Sequence, residues 1–241
     1  MKRLFLFTII CFFFVSNLYS KQYESLEDKV NYYKERYKVN CLNEKITNNF
    51  GNGFEELYGT RNMKPILHGI AYRGGANNFY HKTNKRNNHN PLPEDGLNNL
   101  LNEGFSVAIY LYGTNFSTAK KILTNEEDTL RYIQNSGMSK ETQREMLSLV
   151  YDRIKNHNLG PIYLHCWNGW HQSGFVSAIM LMQFCDFSNQ KARLYWEQNT
   201  DGDYKKFQNI KTMIANFKPF KEFEISKEEQ DIICPCMEKN D

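Results

Sequence analysis

From residue 93 onward the apolar positions fall into helical and strand patterns in turn. Pro93-Glu94-Asp95 opens a helix whose Leu97, Leu100 and Leu101 share one face, and Gly104 ends it. Phe105–Tyr112 is a continuous apolar run, the pattern of an interior parallel strand. Thr129–Gln134 reads as a further strand. Ser139 then caps a helix carrying Met146, Leu147, Val150 and Ile154 on one face. Gly160-Pro161 stops that helix and feeds the apolar strand Ile162-Tyr163-Leu164. A glycine-containing turn follows, and Phe175–Met182 forms an apolar helix. Ser188 caps a segment with Ala192, Tyr195 and Trp196 on one side, which Gly202 ends. Tyr204–Phe217 repeats the pattern with Phe207, Ile210, Ile214 and Phe217. Upstream, Ser25–Arg36 is predicted to be a short helix and residues 46–64, with Gly51, Gly53 and Gly59, a loop. Ile66–Tyr72 is predicted as the first strand, ending at Arg73-Gly74-Gly75, followed by an asparagine-rich loop over 77–93. Strands interleaved with helices specify an α/β domain with a central, mostly parallel sheet flanked by helices.

The beginning of the chain follows a different rule. Met1-Lys2-Arg3, an apolar run from Leu4 to Val15 and small or polar residues at Ser16–Ser20 read as a secretory signal peptide over residues 1–20. The run is too short for a membrane span, so export to the periplasm or the extracellular space is expected, without stable membrane insertion after cleavage. Residues 21–64 then form an N-terminal extension, 65–220 the main domain and 221–241 a tail. Loss of Lys2 and Arg3 lowers the formal net charge from +3 to +1. So neutral a chain is not built for nucleic acid or an anionic membrane.

Of the six cysteines, Cys41, Cys166, Cys185, Cys234 and Cys236 lie beyond residue 20. An oxidising compartment favours disulfides, with Cys41 and the Cys234-Pro235-Cys236 tail as natural candidates for tying the two ends together. The pairing, including that of Cys185, stays open. Metal binding is disfavoured because no histidine pair stands nearby at ligand spacing. Asn199-Thr200-Asp201-Gly202-Asp203 lacks the later ligands of a calcium loop and reads as a turn closing a helix.

The chemistry concentrates in His165-Cys166-Trp167-Asn168-Gly169-Trp170-His171-Gln172-Ser173-Gly174. A cysteine at a strand-to-helix turn faces unpaired first-turn amides, which favour an anion beside it and suit a nucleophile or a bound phosphate. This segment resembles the signature of the cysteine-dependent phosphatases, the tyrosine and dual-specificity family: His-Cys, five residues, Arg, then Ser or Thr and often Gly. His165, Cys166, Gly169, Ser173 and Gly174 match in place, and Gln172 stands where the family has arginine. The resemblance covers residues 65–220. It implies the tyrosine-phosphatase superfold, a phosphocysteine intermediate at Cys166 and neither metal nor cofactor. Ser173 would assist departure of the sulfur and His165 would orient the loop from beneath. Trp167, Asn168, Gly169, Trp170, His171 and Gln172 would bind a phosphorylated small molecule or protein. Gly169 is expected to let the loop backbone approach the phosphate closely. Trp167 and Trp170 either wall the site for a sugar or aryl group or simply pack.

Two expected groups are displaced. An amide at Gln172 offers no fixed charge to a phosphoryl transition state. The place of the family's general acid, before Ser139, reads Gln134-Asn135-Ser136-Gly137 without a carboxylate, and Glu127 and Asp128 lie at the other end of the strand. Substitute cations are His171, Arg73, Lys85 and Arg86. Three functions remain open: a phosphoester hydrolase of divergent mechanism, a pseudophosphatase that binds an oxyanion or a protein partner without turnover, and a structural secreted domain.

Overall fold

The computed structural model describes residues 22–76 and 90–237. The signal-peptide segment 1–20 and the loop cations Lys85 and Arg86 lie outside the described residues. Ser25 caps α1 (Leu26–Tyr37) with its side chain on the Asp28 amide. An antiparallel hairpin follows, β1 (Thr60–Leu67) and β2 (Ala71–Ala76). The next elements are α2 (Glu94–Asn102), β3 (Val107–Tyr110), β4 (Ile122–Thr124), β5 (Thr129–Gln134), α3 (Lys140–Lys155) and β6 (Ile162–Cys166). The chain ends with α4 (His171–Phe184), α5 (Asn189–Gln198), α6 (Gln208–Asn216) and α7 (Lys227–Ile233).

The six strands form one sheet in the order β1-β2-β6-β3-β5-β4. The four inner strands are parallel, while β1 and β4 close the edges antiparallel. Side chains alternate across the sheet. Ile162, Leu164 and Cys166 join the core beneath α3–α6, whereas Tyr163 joins the opposite core with Tyr72, Ala108 and Tyr110. That second face is aromatic and is covered by α1 and α2 through Tyr33, Tyr37, Leu97 and Leu100. With both faces covered, β3 and the first three residues of β6 are apolar, and Arg73 of β2 and His165 of β6 are buried polar exceptions. In α4 every residue after His171 is buried, so it is the central helix of its layer.

Two disulfides join the ends to the core, Cys41–Cys236 and Cys185–Cys234. The second anchors the tail to the residue that closes α4. Asn199–Asp203 closes α5 as a turn, with the Asp203 amide on the Thr200 carbonyl.

Four expectations are corrected. The predicted single strand Ile66–Tyr72 is a hairpin turning at Gly69, whose φ is +68°. Its first strand starts at Thr60, inside the segment read as loop, and carries Arg61, Asn62 and Lys64, all buried. Polar residues disguised a strand there because the fold uses them internally. The three-residue β4 alternates exposed and buried on the sheet edge, too short to register as a pattern. Within the predicted helix Tyr204–Phe217, only Gln208–Asn216 is helical. The tail contains α7, marked by a capping box of Ser226 and Glu229.

Candidate active site

The register places the carboxyl ends of β2, β6, β3 and β5 along one edge of the sheet. Gly74 and Tyr110 both pair with His165, and Tyr110 also pairs with Gln134. In open α/β sheets this edge is where ligands bind. Cys166 is the last residue of β6 and lies at that edge between two parallel neighbours.

Cys166 is 4 % exposed and is the free cysteine among the described residues. Its sulfur lies 3.5 Å from Ser173 Oγ. It opens into a cleft of about 290 Å³ lined by Trp167, Asn168, Trp170 and His171 of the loop and by Tyr112 and Thr114 beyond β3. A larger cleft, about 620 Å³, lies between α3 and the segment after α6, lined by groups such as Lys140, Arg144 and Phe220. No cysteine lines it, so the thiol rather than size picks out the smaller cleft.

The loop is held from beneath. Arg73, fully buried in β2, donates from Nη2 to the Gly169 and Trp170 carbonyls. Asn62 Nδ2, 3.2 Å from the Gly169 carbonyl, adds a second donor. Because C=O and N–H point opposite ways in a trans peptide, these bonds turn the Trp170 and His171 N–H groups away from Arg73. The start of α4 has no side-chain cap, its flanking residue being Trp170.

Gly169 has φ +77°, and a Cβ there would meet the Gly74 carbonyl carbon at 2.6 Å and the Gly75 nitrogen at 2.7 Å. The glycine is required because the loop backbone lies directly on Gly74-Gly75 of β2, a reason that the sequence reading assigned to the ligand. The Ala76 amide seals this contact by donating to the Trp167 carbonyl.

His165 is fully buried and does not line the cleft. Its ring stacks near Tyr110, Tyr132 and Tyr163. Nδ1 lies 3.1 Å from the Cys166 carbonyl, which can only accept, so Nδ1 carries the proton. Nε2 then accepts from Tyr132 Oη at 2.7 Å. Burial pushes His165 down to about 3, so the ring stays neutral and fixes the carbonyl at the base of the loop.

His171, the substitute cation within the loop, and Gln172, at the position of the signature arginine, are both engaged outside the cleft. The His171 ring stacks on Phe207 at 3.8 Å, and Nε2 bonds the Asp203 carbonyl. Gln172, 9 % exposed, donates from Nε2 to the Ser136 carbonyl at 2.8 Å and ties α4 to the segment after β5. No carboxylate lines the cleft among the described residues. Trp167 is 46 % exposed and lines the cleft together with Trp170 and Tyr112. Sequence reasoning missed Asn62, Tyr112 and Thr114. The strand order was the signal for the last two, since whatever follows β3 must stand beside Cys166.

No protein-family model matches the chain, and no curated protein sequence matches it. Solved structures do. Tk-PTP in its active form is 15 % identical with a TM-score of 0.41, over 65 % of this chain and 97 % of that one. Similar values hold for P. aeruginosa TpbA, at 14 % and 0.41 over 64 % and 86 % of the two chains. For the core catalytic domain of the S. cerevisiae PP-IP phosphatase SIW14, in complex with citrate, they are 15 % and 0.40, over 65 % and 85 %. The chain is similar to protein tyrosine phosphatase structures.

Proposed function

We propose that this protein is a phosphatase-like oxyanion-binding protein in which Cys166 accepts a phosphoryl group from a phosphorylated small molecule or protein. The observation that carries this reading is the loop between β6 and α4, whose Gly169 and Trp170 carbonyls are bound by Arg73 while the free Cys166 lines one cleft with Trp167, Asn168, Trp170 and His171. In the first step the Cys166 sulfur attacks phosphorus, the S–P bond forms, and the ester P–O bond breaks with its electron pair leaving on oxygen. The Trp170 and His171 amides take up the charge that builds on the equatorial oxygens. In the second step a water oxygen bonds to phosphorus as the S–P bond breaks with its electron pair on sulfur, a water proton passes to solvent, and phosphate departs; Ser173, whose Oγ lies 3.5 Å from the sulfur, turns its hydroxyl to donate to the leaving thiolate.

With no carboxylate lining the cleft among the described residues to protonate the ester oxygen, turnover is restricted to leaving groups that depart as anions, such as aryl oxides. The engaged amide of Gln172 favours a second reading, a pseudophosphatase that holds the oxyanion with negligible turnover. Export is part of the proposal. The apolar start of the chain supports it, as do the two disulfides, which belong in an oxidising compartment. No helix among the described residues is long and apolar enough to cross a membrane.

The test is release of an activated aryl oxide from its phosphate ester, combined with intact-mass detection of a phosphoryl group on Cys166. Turnover that Cys166→Ser abolishes supports the hydrolase. A phosphorylated or anion-protected Cys166 without turnover supports the second reading. A thiol that neither takes up phosphate nor responds to oxyanions overturns both.

A further inference from the structure

Gln172 leaves the loop without a fixed positive charge, yet a buried guanidinium touches the loop from another strand. Arg73 Nη2 bonds the Gly169 carbonyl and lies 3.1 Å from that of Trp170, and Nη1 donates to Tyr195 Oη at 3.2 Å. Its Nε has no hydrogen-bond partner among the described residues. All of these partners are neutral, so the charge is buried with no carboxylate paired to it among the described residues. A second basic group, Lys64, lies nearby with its Nζ on Asn199 Oδ1. Burial first, and then the charge of Arg73, push Lys64 down to about 7. Burying an uncompensated cation is costly in a folded protein. An anion on the far side of the peptides that Arg73 holds would offset that cost.

The surroundings are shaped to keep the guanidinium in place. A Cβ at Gly174 would stand 3.3 Å from Nη2 and 3.0 Å from the Trp196 ring, so glycine leaves the space that the fork occupies. Trp196 Nε1 in turn donates to the His171 carbonyl, at the first residue of α4. Tyr195 and Trp196 of α5 thus brace Arg73 and the start of α4 together.

We propose that Arg73 is the positioning cation of the Cys166 site: it orients the Trp170 and His171 amides through the carbonyls it binds and supplies from beneath the charge that Gln172 lacks. The proposal rests on the oxyanion reading above. Arg73 does not touch the ligand. Its charge acts across two peptide units, and its Nη2 holds both carbonyls while Nη1 is anchored on Tyr195 Oη, a combination of charge and fixed geometry that neither an ammonium nor an amide reproduces.

The test is calorimetric titration of the full chain with tungstate, a stable tetrahedral oxyanion, alongside thermal unfolding without anion. Arg73→Gln keeps a neutral donor and should weaken tungstate binding by about thirtyfold, while Arg73→Lys keeps the charge and should lose only about fivefold. That rank order, with both variants folded, supports the proposal, because a purely structural arginine would give equal losses. Equal losses, or affinities unchanged from wild type, overturn it. Should Arg73→Gln fail to unfold cooperatively, Arg73→Lys decides alone, and wild-type affinity in that variant overturns the proposal. A wild-type chain that binds no tungstate defeats the oxyanion reading itself, a result distinct from binding that ignores Arg73.

Discussion

Two helices begin at the same edge of the sheet and treat their first turns in opposite ways. At α3, Ser139 accepts from the Thr142 amide while Thr142 Oγ1 accepts from the Ser139 amide, a closed capping box. At α4 the flanking residue is Trp170, no side chain caps the turn, and the underside of the preceding loop is bound by Arg73 and Asn62. The two are joined where Gln172 donates to Ser136. The chain therefore has the means to seal a helix start beside the site and does so at α3. At α4 it leaves the first turn without a side-chain cap and sets the Cys166 thiol at the head of the preceding loop. The first helix start serves stability; the second, on the function proposed above, serves a ligand.

The contrast can be broken most severely at the sulfur. Cys166→Ser should abolish phosphoryl uptake and lower any turnover by about a thousandfold or more, with thermal stability nearly unchanged. Steady-state assay on an aryl phosphate checks it. Gln172→Arg would give α4 the charge it lacks and should raise kcat/KM by about a hundredfold, below the full worth of a positioned arginine because the Ser136 tie is lost. No gain in that assay would mean that the missing cation is not what limits the site. Gly169→Ala forces a side chain into the Gly74-Gly75 backbone at positive φ and should cost on the order of 2–4 kcal/mol, seen as a fall in Tm of roughly 5–10 °C.

A subtler break uses protons. His165 has an ordinary value of 6.5 and is held down to about 3 by burial, so the unfolded chain binds its proton first. Stability from this group is complete above pH 6.5 and is lost as the pH falls toward 3. His68, pushed down to about 4 by burial, adds to the same slope. His165→Asn should cost about 1–3 kcal/mol at neutral pH by unpairing Tyr132 and the Cys166 carbonyl, and should flatten the acid slope of denaturant-derived stability. The mildest change is at the sealed helix. Ser139→Ala should cost about 1 kcal/mol by chemical denaturation and leave oxyanion affinity untouched.

Much of this arrangement was legible in the sequence. The turn after Leu164, the Ser139 cap and the buried face of Ala192, Tyr195 and Trp196 follow from local pattern, because each is a short-range physical requirement. What stayed hidden depends on contacts across the sheet. Asn62 sits in a strand that its own polarity disguised, and it is polar because it reaches the loop some hundred residues later in the chain. Arg73 was readable as a cation near the site, but its attachment to carbonyls rather than to ligand required the β2–β6 register. Tyr112 and Thr114 become neighbours of Cys166 only once β6 is inserted between β2 and β3.

The central claim is that the amides at the start of α4 and the Cys166 sulfur form one oxyanion site. Its most direct test is the rate of Cys166 alkylation by iodoacetamide, followed by peptide mass spectrometry, with and without orthovanadate. The account predicts modification at Cys166 that saturating vanadate slows by about tenfold or more, with the four disulfide cysteines unmodified throughout. Alkylation at the same rate in the presence and absence of vanadate would contradict it.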